Sequence, residues 1–168
     1  AEEIKKIKEY SIKENIVAIG EIGLDKTTSV PFELQVDCLQ QQLNIAREAD
    51  KPVIIHCVRA FNELMAIRKK NPEVPWIIHG FHGKEILMLQ LIELGCSISF
   101  GSSLFKTNSN SIDNIKYVDL ESIFFETDDA DYTIENIYKT AASYRQQDIL
   151  LIKSEIYKNF LKIFKRTS

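Results

Sequence analysis

Short, almost wholly apolar runs alternate with amphipathic stretches along this chain, and that rhythm constrains its fold more than any other feature. The runs are IVAIGEIGLD, PVIIH, PWIIHGF, CSISF and SIFFETD. A strand with one wet face alternates apolar and polar residues. Apart from CSISF these runs do not, so both of their faces are covered, as in a parallel sheet or barrel. Helical stretches separate them. EEIKKIKEYSIKEN carries Ile4, Ile7 and Ile12 at near-helical spacing. PFELQVDCLQQQLNIAREADK reads as a long helix, with Pro31 suited to its first turn and Leu34, Cys38, Leu39, Leu43 and Ala46 as its apolar stripe. AFNELMAIRKK stops before Pro72, and KEILMLQLIELG ends at Gly95, a common stop signal. GSSLFKTNSNS reads as a polar loop before a short helix from Ser111 to Tyr117. YTIENIYKTAASYRQQ and a last helix, from about Ile149 to Phe164, close the chain. No repeat, low-complexity tract or linker divides it, so one domain over 1–168 is expected.

Polar groups fall at the C-terminal ends of the apolar runs. Glu21 ends VAIGE, His56 ends PVIIH, His79 ends PWIIH, and Glu126 and Asp128 end SIFFETD. In parallel α/β architectures this end of the sheet builds the active site. The first three lie about one β-α unit apart, and Asp128 follows after about two more. Imidazole nitrogen with carboxylate oxygen suits zinc, manganese or iron, and carboxylates suit magnesium. One such histidine is more often structural than a ligand. Here two of the three histidines repeat the same Ile-Ile-His pattern and two other strands end in carboxylates, which favours a metal site. His82, in HGFHGK, reads either as a surface histidine or as a substrate contact.

Charge and cysteine content narrow the setting. Lys and Arg number 21 against 24 Asp and Glu, a net charge of −3, and the pI is 5.7. Broad electrostatic capture of nucleic acid usually shows a pI above about 9. A phosphate-bearing substrate stays compatible, because bound divalent metals supply positive charge locally. The thiols Cys38, Cys57 and Cys96 are odd in number and form no C-x-x-C pair. They indicate neither a disulfide framework nor a structural zinc site and fit a reduced, cytoplasmic setting. No apolar run approaches the roughly 20 residues of a membrane span, and AEEIKKIKEY has no signal-peptide core.

At these residues the chain resembles the TatD-like metal-dependent hydrolases, a branch of the amidohydrolase-type barrels. The motifs that carry the resemblance are AIGEIGLD, PVIIHC, WIIHGFHG, FETD and the closing NFLKIF, in the family's order, from about Val17 to Phe164. The resemblance implies a TIM-type (β/α) barrel, up to two divalent ions (magnesium, manganese or zinc), and hydrolysis of phosphoesters by metal-activated water, DNA included. It implies Glu21 as a carboxylate able to bridge two metals, His56 and His79 as imidazole ligands, and Asp128 as the final ligand that orients or deprotonates the attacking water. Glu21 and Asp128 are thus the expected catalytic pair. Glu126 is expected behind the ligands, Asp25 as a residue that orients a ligand or fixes its loop. Arg59 falls one place from the position where the family often carries a basic residue, for which phosphate contact is the implied role.

The family's His-x-His on its first strand has no counterpart here, since no histidine precedes His56. A complete barrel of this type takes about 250 residues, against 168. The expectation is a barrel incomplete at its N-terminus, its first strands and two ligands absent from this chain. The exposed strand edges would then need cover from another copy or from the missing segment. Two other functions stay open on sequence alone: a catalytically silent barrel acting as a metal-binding or interaction protein, and an amidohydrolase-type esterase or lactonase.

Overall fold

The computed structural model describes residues 2–164, so the expected span of 1–168 reaches past the described residues at both ends. Five strands form one sheet in sequence order: β1 (Ile19–Asp25), β2 (Val53–Val58), β3 (Trp76–Ile78), β4 (Cys96–Phe100) and β5 (Ile123–Phe125). The pairs β1/β2 and β4/β5 run parallel. The parallel α/β organisation read from the apolar runs is therefore the observed one. Two compact units divide the chain, Ala1–Ile77 and Ile78–Ser168.

The first unit holds α1 (Glu2–Ser11), α2 (Phe32–Glu48) and α3 (Phe61–Lys70). Pro31 precedes α2, where a missing N–H costs nothing because the first turn has no intrahelical partner for it. α2 packs on β1 and buries Leu39, Leu43 and Ala46 completely. Each leucine removed from water in this way contributes about 2 kcal/mol. Leu34, expected in the same stripe, stays 51% exposed, so the buried stripe begins later. Arg68 of α3 is buried among backbone carbonyls, donating to Asn71 O at 2.6 Å and Val74 O at 2.7 Å. Its guanidinium also lies 5.5 Å from the Trp76 ring centre. A buried charge is tolerable only with such partners, and these close the connection between α3 and β3.

The second unit holds α4 (Glu85–Glu93), α5 (Asn110–Tyr117), α6 (Ile134–Arg145) and α7 (Ile149–Ile163). α4 packs on β4 and α7 on β5. Every residue of β4 is buried, consistent with its unbroken apolar and small-residue run. Helix starts follow side-chain chemistry. Thr133 and Asn136 form a reciprocal capping box at α6, and Asp148 accepts from Leu150 N at 2.7 Å at α7. Buried Asn159 donates from Nδ2 to Leu120 O and Ile123 O, at 2.7 and 2.9 Å, tying α7 to the start of β5. The loop GSSLFKTNSNS contains a short 3-10 turn, Ser102–Phe105, not visible in the residue pattern.

Candidate metal centre

In the first unit, Glu21 and His56 are placed by strand pairing. β1 and β2 pair at Ile19↔Val53 and again at Ile22↔Ile55, so β1 holds one extra residue between them. Such a bulge re-aims side chains. Glu21 falls in it and is exposed. The strand was expected to end at Glu21; it continues to Asp25. Two residues after Glu21, Gly23 pairs with His56, and a Cβ there would sit 1.8 Å from the His56 carbonyl oxygen. Its φ of +156° is also one that side chains resist. Only glycine lets the two strands approach at this point.

His56 is partly buried, with Nε2 3.6 Å from Asp25 Oδ2. The other carboxylate oxygen of Asp25 accepts from Thr27 Oγ1 at 2.5 Å and Thr27 N at 2.7 Å. The Thr27 hydroxyl, then its amide, then His56 hold the Asp25 carboxyl below the usual aspartate range. Gln35 of α2 fixes the Asp25 backbone, accepting from Asp25 N at 2.7 Å and donating to Asp25 O at 3.0 Å. Asp25 thus meets a histidine with one carboxylate oxygen and its own loop with the other. Glu21, Asp25, Gln35 and His56 line an open cavity of about 370 Å³. Arg59 lies just past β2, exposed, with a left-handed φ of 54°.

In the second unit, His79 follows β3 directly and its side chain is only 11% exposed. Its Nδ1 lies 3.6 Å from Glu126 Oε1, which also accepts from Gly80 N at 2.5 Å. Burial pushes the Glu126 carboxyl upward, but hydrogen bonds from His79, Ser99 and the Gly80 amide overcome it, leaving the group below the usual glutamate range. Gly101 leaves room for this side chain, since a Cβ there would lie 3.1 Å from Glu126 Cγ. Asp128 adopts a left-handed φ of 49°, which aspartate tolerates better than most residues. It lines a second cavity of about 440 Å³ together with Glu126, His82 and Lys106. His82 is exposed; its Nδ1 is 2.9 Å from Gly80 O, and Asn110 donates to its carbonyl at 3.1 Å.

The sequence reasoning passed over Lys106 and the neighbouring Ser102, Thr107, Asn108 and Asn110, which line that cavity. Their signal is weak: a polar loop with no period, distinguished only by one cation among hydroxyl and amide side chains.

A parallel α/β sheet bearing imidazoles that are each braced by a carboxylate fits the class of metal-dependent hydrolases. The chain belongs to the family described as TatD related DNase, whose match covers residues 1–165 and so runs through both units. It is 36% identical over 120 residues to the uncharacterized metal-dependent hydrolase YjjV of Escherichia coli K12, covering 69% of this chain and 46% of that protein. It is 31% identical over 118 residues to deoxyribonuclease Tat-D of Schizosaccharomyces pombe, covering 67% of this chain and 38% of that one. The crystal structure of YjjV matches 98% of this chain and 70% of its own, with a TM-score of 0.88 at 24% identity, which establishes the shared fold. The chain spans about half the length of the curated relatives it matches. No described helix is long and apolar enough to cross a membrane.

Proposed function

We propose that the protein is a metal-dependent phosphodiesterase acting on DNA in the cytoplasm, and that Glu21, His56 and His79 hold its metal. One observation carries the assignment: each histidine is braced by a carboxylate of its own unit, His56 by Asp25 and His79 by Glu126, both at 3.6 Å. Two imidazoles and a carboxylate are a donor set for zinc or manganese, and exposed Glu21 adds an oxygen that magnesium also accepts. A bound divalent ion would supply Lewis acidity and lower the pKa of water toward neutrality.

The chain's own residues do the remaining work. Glu126 holds His79 through Nδ1, and Asp25 holds His56 through Nε2, so each ring is oriented by a carboxylate. Asp128 belongs to the second unit, with His79 and Glu126. We assign its carboxylate the proton of the attacking water, because it lines the cavity beside Glu126. DNA as substrate rests on family membership and on the name of the yeast relative. A second copy, or further chain, would cover the sheet edges.

The test is hydrolysis of single-stranded DNA by the intact protein with manganese, magnesium or zinc added, beside metal analysis of the purified protein. Metal-dependent cleavage that His79→Ala reduces at least about a hundredfold is expected. A protein that binds metal and cleaves neither DNA nor a small phosphodiester defeats the reading. Turnover confined to lactones or carboxylic esters would replace it.

A further inference from the structure

The cavity of about 440 Å³ in the second unit holds more than the Asp128 carboxylate needs. No hydrophobic side chain lines it; among the lining residues are hydroxyl, amide and glycine positions, and Lys106 is the one lysine or arginine. Lys106 is exposed and forms no salt bridge among the described residues. A pocket for an ester's acyl group or a lactone ring is mostly apolar. This one has the opposite chemistry.

Its loop is held in shape from below. Ser103 Oγ donates to Ser111 Oγ at 2.8 Å, and Ser111 Oγ donates to Phe81 O at 3.0 Å, all buried. Asn110 is tied to His82 O, and Asn108 holds a left-handed turn at φ 60°. One cation and several neutral donors on a braced loop make a receptor for a phosphate oxyanion. The cavity also contains two carboxylates, Glu126 and Asp128. A phosphate entering it meets repulsion from them, so the lysine must carry the attraction on this side.

We propose that this cavity is a subsite for a strand phosphate flanking the scissile bond, with Lys106 as its anchoring cation and Ser102, Thr107 and Asn108 as neutral donors. The proposal rests on the DNA-cleaving reading above and adds where the strand is gripped. It assigns no catalytic role to Lys106.

Binding of a fluorescein-labelled single-stranded hexanucleotide is measured by anisotropy, with chelator present so that no cleavage occurs. A second probe has the same sequence with an uncharged methylphosphonate backbone. Lys106→Ala should weaken binding of the phosphodiester strand about tenfold and lower the salt dependence by about one ion. It should leave the methylphosphonate strand unaffected, and Lys106→Arg should retain affinity. No detectable binding of the phosphodiester strand by the unmodified protein overturns the proposal. So does an equal loss on both probes, or no loss on either. Cleavage of the same strand with manganese is scored separately. Its failure removes the activity reading, while the binding arm still decides the subsite.

Discussion

The two histidines of the candidate centre are built on the same plan with different materials. His56 of the first unit is 39% exposed and faces an aspartate seven residues before the next helix. His79 is 11% exposed in the second unit and faces a glutamate from a different strand end. Both imidazole–carboxylate distances are 3.6 Å. Asp25 is fixed by its own neighbours, Thr27 and Gln35, so its geometry is local. Glu126 is fixed by groups distant in sequence, including Gly80 N. A local device survives wherever its loop forms. A device assembled from separate strands requires the folded unit, and it acts in a drier place where each hydrogen bond counts for more.

The largest effect is expected at the position that lets Glu21 and His56 lie side by side. Gly23→Ala places a Cβ 1.8 Å from the His56 carbonyl at a φ of +156°. Either β1 slips or the pair opens. Destabilisation of at least about 3 kcal/mol is expected from strain and overlap together, with loss of metal binding. Denaturant unfolding and metal titration on the same sample check it. Native stability in this variant would show that the first half tolerates a wider strand separation than the structure describes.

Next comes the carboxylate behind His79. Glu126→Gln keeps the shape and removes the charge. Metal affinity should fall about 10- to 100-fold, the usual cost of losing a carboxylate that orients a metal-binding imidazole. Asp25→Asn should cost less, under about tenfold, because the exposed site leaves water able to replace the lost contact. Chelator competition on both variants reads the contrast directly. Equal losses would mean that burial does not separate the two devices.

Acid titration sharpens the same contrast. The folded Glu126 carboxyl lies below its ordinary value of 4.5. A depressed folded value stabilises the fold above the unfolded value, and that contribution disappears as pH falls through the folded one. Denaturant midpoints measured from about pH 6 down to about pH 3 should therefore fall less steeply for Glu126→Gln than for the unmodified chain. Identical slopes would remove Glu126 from the acid response.

Much of this arrangement is legible in the residues. The apolar runs locate all five strands, and the histidines after Ile-Ile stand where β2 and β3 deliver them. The bulge at Glu21 is not legible, because one extra residue in a strand leaves the apolar composition unchanged. Nor is the partnering of His79 with Glu126, which depends on a meeting of segments 47 positions apart (79 to 126). Leu34 shows the limit of helical spacing: the stripe is periodic, yet what covers each residue is set by packing. The loop around Lys106 shows another, since polar residues without a period carry no record of the cavity they line.

The smallest effect is expected at Cys57, which follows His56 on β2 and is the nearest sulfur in sequence to the first half of the centre. Zinc and its relatives favour thiolate ligands, so a cysteine beside a ligand histidine is a natural rival for Glu21. The thiol's ionisation argues against it. Burial pushes Cys57 up to about 12, outweighing the downward pull of the Ala60 backbone hydrogen bond, and the carboxylates Glu63 and Asp25 add smaller upward pushes. At about pH 8 roughly one thiol in ten thousand would be ionised, too few for fast alkylation or for ready metal capture. Cys57→Ala should therefore change metal affinity by less than about twofold. Iodoacetamide labelling at Cys57 should be slow with or without metal. Rapid labelling that added zinc suppresses would instead put sulfur in the first half's donor set, and the two halves would then differ in ligand chemistry as well as in burial.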